Sequence, residues 1–273
     1  MNNPKFDAWG EQRLAIIGMV HLPPLPGAPG YRRDWSDIRR RAIADARALV
    51  AGGVHGLMIE NFGDAPFYPG RVPAHVVAHV TAIAADVRAV SDLPLGVQIL
   101  RNDAVSAIGA AHAAGADFVR VNVLCGARLT DQGVISGVAH ELLRERAMLG
   151  AERIRIFADV NVKHSTPLGP PRPIADEVAD MVKRGGADAI IVSGTATGAA
   201  ADISEARDVR EAVNRISQPR ALVVIGSGVT TGNVRELSDV ADAAIVGTSL
   251  KVDGVSTNPV DPARVAALIA AIA

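Results

Sequence analysis

The stretch ADVNVKH sets a carboxylate, an amide and an amine at alternate positions: Asp159, Asn161 and Lys163. On an extended strand alternate side chains share a face, so the three are expected to project together. An acid, a positioner and a cation in that order suit proton transfer. Lys163 reads as a general acid, a Schiff-base amine or a phosphate partner. The structural alternative is an ion pair, Arg120 or Lys163 against Asp159 or Glu60, which holds geometry without doing chemistry.

Other short apolar runs also end in polar residues. His21 closes the first run, Glu60 with Asn61 the second, and Gln98 the third, with Arg101 and Asn102 just beyond. The fourth alternates Arg120 and Asn122 with valines, and the sixth ends in SGTATG, Ser193 to Gly198. The last two runs close on small residues, Gly226, Ser227 and Gly228 and then Gly247, Thr248 and Ser249. Glycine after a strand is ordinary turn chemistry. Two such loops, adjacent and opening towards helices, present backbone N–H groups suited to a phosphate dianion. His21 and His164 lie in proline-containing loops, where imidazole shuttles protons near neutral pH or simply hydrogen-bonds the loop.

These residues need a scaffold that brings strand ends together. AGGVHGLMI, AAGADFVRV, RGGADAIIV and the shorter VADAAIV share one layout, in which a helix stops, glycine or alanine caps it and an apolar strand begins. With LAIIGMV, LPLGVQI, ERIRIFADV and RALVVIG they make about eight strands. Helices are expected near 36–51, 73–91, 103–114, 133–150, 175–185, 204–217, 230–240 and 262–271, with Ser36, Asp103 and Ser204 as N-caps. Regular alternation predicts an α/β fold, a single (β/α)8 barrel over residues 1–273. In that fold a phosphate sits after strands 7 and 8 and the polar strand ends line the mouth. An open doubly wound sheet is the alternative, but no G-x-G-x-x-G follows the first strand.

Composition limits the function classes. Hydrophobic residues are 49% of the 273 and aromatic ones only 3%, a core suited to parallel strands buried on both faces. A net charge of −1 gives no reason to expect nucleic acid. No apolar run approaches the roughly 20 residues of a spanning helix, and the first residues lack a signal-peptide core. A cytoplasmic protein without membrane insertion is expected. The single Cys125 permits no internal disulfide and reads as an apolar filler. No H-x-H or H-E-x-x-H spacing supports zinc, and neither a metal nor a cofactor is expected. The alanine-rich stretches TAIAADVRAV and ARVAALIAAIA fit a homo-oligomer and ordinary helix-on-barrel packing equally well.

GMVHLPPLPGAPG, ADVNVKHS and GSGVTTGNV with VGTSLKVDGVSTNPVDPARV closely resemble the BtpA/SgcQ family over nearly the whole chain. The resemblance implies a ribulose-phosphate-binding type of barrel. It marks His21, Asp159, Lys163, His164 and the two glycine loops as motif positions. The family's cyanobacterial namesake is implicated in photosystem I biogenesis, and SgcQ-type members are described as candidate nucleosidases. No residue pattern in this chain indicates pigment or thylakoid contact.

The residues together predict an enzyme on a small phosphorylated sugar or nucleotide-like ligand, by isomerase, lyase or glycosidic-bond chemistry. Glu60, Asp159, Lys163, His21 and His164 are its candidate catalytic groups. Gln98, Arg120, Asn122, Asn161 and Ser193 are candidate substrate contacts. The alternatives are a nucleosidase for unphosphorylated nucleosides and a non-catalytic assembly factor for a membrane protein complex.

Overall fold

A computed structural model describes residues 4–32, 34–194, 198, 201–216 and 221–272. Eight parallel strands close into one barrel: β1 (Ala15–His21), β2 (Gly56–Glu60), β3 (Leu95–Gln98), β4 (Phe118–Val121), β5 (Arg155–Val160), β6 (Ala189–Val192), β7 (Leu222–Ile225) and β8 (Ala243–Val246). Each strand pairs with the next in sequence, and β8 returns to β1 in the register Ala15↔Ala243. Helices α1 (Trp35–Ala51), α2 (Ala74–Arg88), α3 (Ala104–Ala114), α4 (Ala139–Met148), α5 (Ile174–Lys183), α6 (Ile203–Asn214), α7 (Val234–Leu237) and α8 (Pro262–Ile272) follow the eight strands in turn. The expected (β/α)8 architecture is therefore the observed one.

Several local expectations need correction. The carboxylates of Asp34 and Asp202, rather than Ser36 and Ser204, cap α1 and α6 by accepting from the N–H groups of those serines. The helix expected from Gly133 starts only at Ala139. Gly133, at φ 92°, instead turns a hairpin between strands Ala127–Thr130 and Gly133–Ser136, and Ser165–Pro167 adds a third strand. Helix α7 is one turn long because Asn233 folds back on Thr230 N–H, 2.8 Å away, and delays the helix start. Thr195, Ala196 and Thr197 of SGTATG, Ser217 of an expected helix and Arg220 of an expected strand lie outside the described residues.

The sequence echo corresponds to a clamp at the N-terminal end of the barrel. Just before β2, β4, β6 and β8 stand His55, Asp117, Asp188 and Asp242. Each side chain accepts from a backbone N–H on the preceding strand: Ile16, Leu95, Ile156 and Val223, at 2.9, 3.0, 2.8 and 2.7 Å. The backbone N–H of each clamp residue donates to the carbonyl of the same partner. Donors that the ladder leaves open at a strand start are thereby satisfied away from water.

The same end is filled by aromatic rings. A short helix at Pro4–Asp7 and the turn after it carry Phe6 and Trp9 beneath Phe118 and Phe157. Phe118 and Phe157 stack with centroids 4.5 Å apart, and Phe6 meets Trp9 edge-on at 4.8 Å. Gly96 leaves room for the Phe118 ring, since a Cβ there would lie 2.2 Å from it. Full burial of such side chains stabilises by about 1.5–3 kcal/mol each. This end is closed.

Candidate active site

Two residues along each strand from that apolar layer, the same inward face turns polar. Phe118 is followed by Arg120, Phe157 by Asp159, Met58 by Glu60, Gly96 by Gln98, Met19 by His21 and Ile191 by Ser193. Arg120 donates to Asp159 in a fork at 2.7 and 3.0 Å. Asn122 Nδ2 donates to the same carboxylate at 2.9 Å and Ser193 Oγ at 3.2 Å. Both ion-pair side chains are at most 2% exposed. Bidentate pairing and the added donors compensate the desolvation of the two charges. Asp159 therefore holds Arg120 in place, and it is Arg120 that reaches the cavity above.

That cavity, about 250 Å³, lies at the C-terminal end of the strands. Its walls include His21, Glu60, Arg120 and Lys163, and both small-residue loops, Gly226–Thr230 and Gly247–Ser249. The N–H groups of Gly228, Gly247, Thr248 and Ser249 have no acceptor among the described residues. Ser249 Oγ donates to Val229 O at 2.7 Å and locks one loop against the other. Ser227 Oγ accepts from Gly194 N–H at 2.8 Å, so its hydroxyl ties the β7 loop to the β6 loop. Glycine is needed at two positions for close approach. A Cβ on Gly226 would lie 2.4 Å from Ser193 Oγ, and one on Gly247 2.7 Å from the His21 ring.

Burial shapes the charges here. It raises the pKa of Glu60, against the opposing pull of Arg120 and Lys163. The Glu60 carboxyl has no hydrogen bond or ion pair with any described residue. Burial, reinforced by Arg120, lowers the pKa of Lys163. His21 is lowered to about 3, first by burial and then by Lys251. Its Nδ1 lies 3.2 Å from Ser256 O, which can only accept, so the proton is on Nδ1 and Nε2 is an acceptor. Its ring stacks on Phe62 at 4.7 Å. The result is one carboxyl, one amine and one neutral imidazole around a single space.

The strand-5 trio does not share a face. β5 ends at Val160, and Asn161 adopts φ 48°, which breaks the alternation. Asn161 is exposed and its amide donates to Glu205 on α6. His164, at φ 58°, is also exposed and lines an adjoining groove with Asn161 and Ser193. Gln98 and Asn122 are buried beside the Arg120 pair, and each keeps a side-chain oxygen without a partner among the described residues. Sequence reasoning missed Phe62 and Ser256, which fix the His21 ring. Neither belongs to a polar strand end, so no periodic signal could mark them. No group of three or more His, Cys, Asp or Glu among the described residues could hold a metal ion. No helix among them is long and apolar enough to cross a membrane.

Comparison with solved structures supports the architecture. Tryptophan synthase from M. tuberculosis matches with a TM-score of 0.63 at 17% identity, covering 99% of this chain and 97% of that one. N-(5'-phosphoribosyl)anthranilate isomerase from Pyrococcus furiosus matches at 0.57 and 11% identity, over 95% and 98%. Such identities speak for the fold alone. Sequence relatives are far nearer. A protein of Thermococcus kodakarensis is 43% identical over 94% of this chain and 95% of its own length. The photosystem I biogenesis protein BtpA of Synechocystis sp. is 44% identical over 94% of this chain and 88% of its own. The BtpA family pattern matches residues 12–273, and the chain belongs to the BtpA family.

Proposed function

We propose that this barrel is an enzyme acting on a small phosphorylated sugar or nucleotide-like molecule. The phosphate rests on the N–H groups of Gly228, Gly247, Thr248 and Ser249. The reacting carbon faces Glu60 and Lys163, with Arg120 and His21 at its sides. One observation carries the reading: the two loops with open N–H groups and the displaced acid–base pair line the same cavity. Glu60 keeps a proton to higher pH than a solvated carboxyl, and Lys163 yields one at lower pH than a solvated amine. Groups tuned towards each other in this way suit proton transfer beside a carbonyl. The Pyrococcus furiosus neighbour is by name an isomerase of a phosphoribosyl compound, which accords with this substrate class.

Cleavage of a glycosidic bond is less favoured, because it calls for two working carboxylates. Asp159 spends its oxygens on Arg120, Asn122 and Ser193, leaving Glu60. A surface role draws on one observation. Leu129 and Val134, cross-strand neighbours in the small sheet, are 47% and 52% exposed.

Thermal shift against sugar phosphates, nucleotides, nucleosides and inorganic phosphate separates the readings. A ligand at about 100 times its Kd raises stability by about 2.7 kcal/mol. Stabilisation by phosphorylated compounds, abolished by Gly228→Asp, is the expected result. Stabilisation by unphosphorylated nucleosides alone would favour the nucleosidase. Silence from every compound would overturn the enzyme reading and leave the surface of the small sheet.

A further inference from the structure

The chain carries 28 basic residues, but lysine stands only at positions 5, 163, 183 and 251. Arginine supplies the rest. Among the described side chains, Lys163 and Lys251 are the lysines drawn away from solvent, and they differ sharply. Lys251 is fully buried, and its Nζ lies 2.9 Å from Asp45 Oδ2, a paired cation inside the fold. Lys163 faces the cavity beside Glu60 and Arg120, and its Nζ has no hydrogen bond or ion pair with any described residue. Two left-handed residues, Asn161 and His164, flank it, and the Arg101 guanidinium holds its backbone carbonyl. Non-glycine residues in that conformation persist where the surroundings enforce them, which recurs at working sites. An arginine would serve as well as a lysine for a fixed positive charge. It could not lose its proton to act as a nucleophile.

We propose that Lys163 is a covalent catalytic residue that forms an imine with the carbonyl of a phosphorylated aldehyde or ketone. This deepens the phosphate-anchored reading above and rests on it. In the step, the neutral Nζ attacks the carbonyl carbon and an N–C bond forms. Nζ gives up one proton on addition and the other on dehydration, and the former carbonyl oxygen takes up two through Glu60, so that the C–O bond breaks, water leaves and the C=N bond forms. The sum is amine plus carbonyl giving imine plus water, with no oxidant or reductant. Once protonated, the imine draws electrons from the adjacent C–H or C–C bond, the step that isomerases and lyases of this kind require. Arg120 at the cavity wall disfavours a second cation and so favours the free amine.

Borohydride trapping tests the proposal, and a chain with four lysines makes the readout simple. The protein is incubated with dihydroxyacetone phosphate or ribose 5-phosphate and then borohydride, and labelled peptides are located by mass spectrometry. Thermal shift is recorded with the same compounds on wild type and Lys163→Arg. The expected result is near-stoichiometric label on Lys163, blocked by inorganic phosphate and absent in Lys163→Arg, with the exposed Lys183 unlabelled. A phosphate-dependent thermal shift without label on Lys163 would overturn the imine and leave the anion site standing. Neither shift nor label would overturn both. Equal labelling of Lys183 and Lys163 would mean surface chemistry and would also overturn the proposal.

Discussion

At the N-terminal end of the barrel, four of the eight strands begin with the same clamp, a side chain gripping the N–H of its neighbour. At the C-terminal end the strands finish in different chemistries: imidazole, carboxyl, amide, guanidinium, carboxylate and hydroxyl, then two loops of small residues. The first end is also stoppered by Phe6, Trp9, Phe118 and Phe157, while the second opens on a cavity. A device repeated around a barrel answers a need shared by every strand, namely satisfied backbone groups. Residues that occur once answer a need of one place. The contrast fits stability at one end and, under the proposed function, recognition at the other.

Changes at either end put that division at risk. The largest expected effect is at the Arg120–Asp159 pair. Asp159→Ala leaves a guanidinium buried without its carboxylate and should cost about 3–5 kcal/mol of unfolding free energy, read by urea denaturation. It should also abolish stabilisation by sugar phosphates, because Arg120 loses its fixed position at the cavity wall. Next comes the clamp. Asp117 accepts from Leu95 N–H and from Arg88 at 3.0 Å each. Asp117→Ala should cost about 1–3 kcal/mol while leaving the ligand-induced thermal shift intact. If Asp117→Ala removed that shift and Asp159→Ala kept it, the division between the ends would collapse.

The smallest effect is a pH dependence. His21 has a pKa of about 3 against 6.5 for a solvated imidazole. Between those values the unfolded chain binds a proton that the folded chain refuses. Stability therefore rises with pH across this window, and is lost as pH falls from 6.5 towards 3. His21→Gln removes this dependence. Between pH 7 and pH 5, wild type should lose on the order of 1 kcal/mol more than the variant in urea melts. An equal loss in the two proteins would show that the ring is not held neutral by its site.

Much of this plan was legible in the sequence, and the reasons differ by element. Strand and helix alternation could be read because each βα unit repeats its cap and apolar run. Glu60 and Gln98 stood out as polar residues closing apolar runs, and Arg120 by its alternation with valines. The same rule failed one step past β5, where Asn161 at φ 48° turns its side chain to Glu205. Periodicity carries no information once the chain leaves the strand. The hairpin from Ala127 to Ser136 was hidden because Gly133 looked like a helix start, when its positive φ makes it a turn. The aromatic stopper was missed because Phe6 and Trp9 precede the first strand, and their partners are long-range. Lys251 and Asp45 are 206 positions apart, and only the closed barrel brings them together.

The proposed function stands on a phosphate held by the open N–H groups of the β7 and β8 loops. The most direct measurement is a crystal structure of the protein grown with a small sugar phosphate. The phosphoryl group is expected within hydrogen-bond distance of Gly228, Thr248 and Ser249 N–H, with the rest of the ligand directed at Lys163 and Glu60. A phosphoryl group bound elsewhere, with these N–H groups turned to protein oxygens, would contradict it.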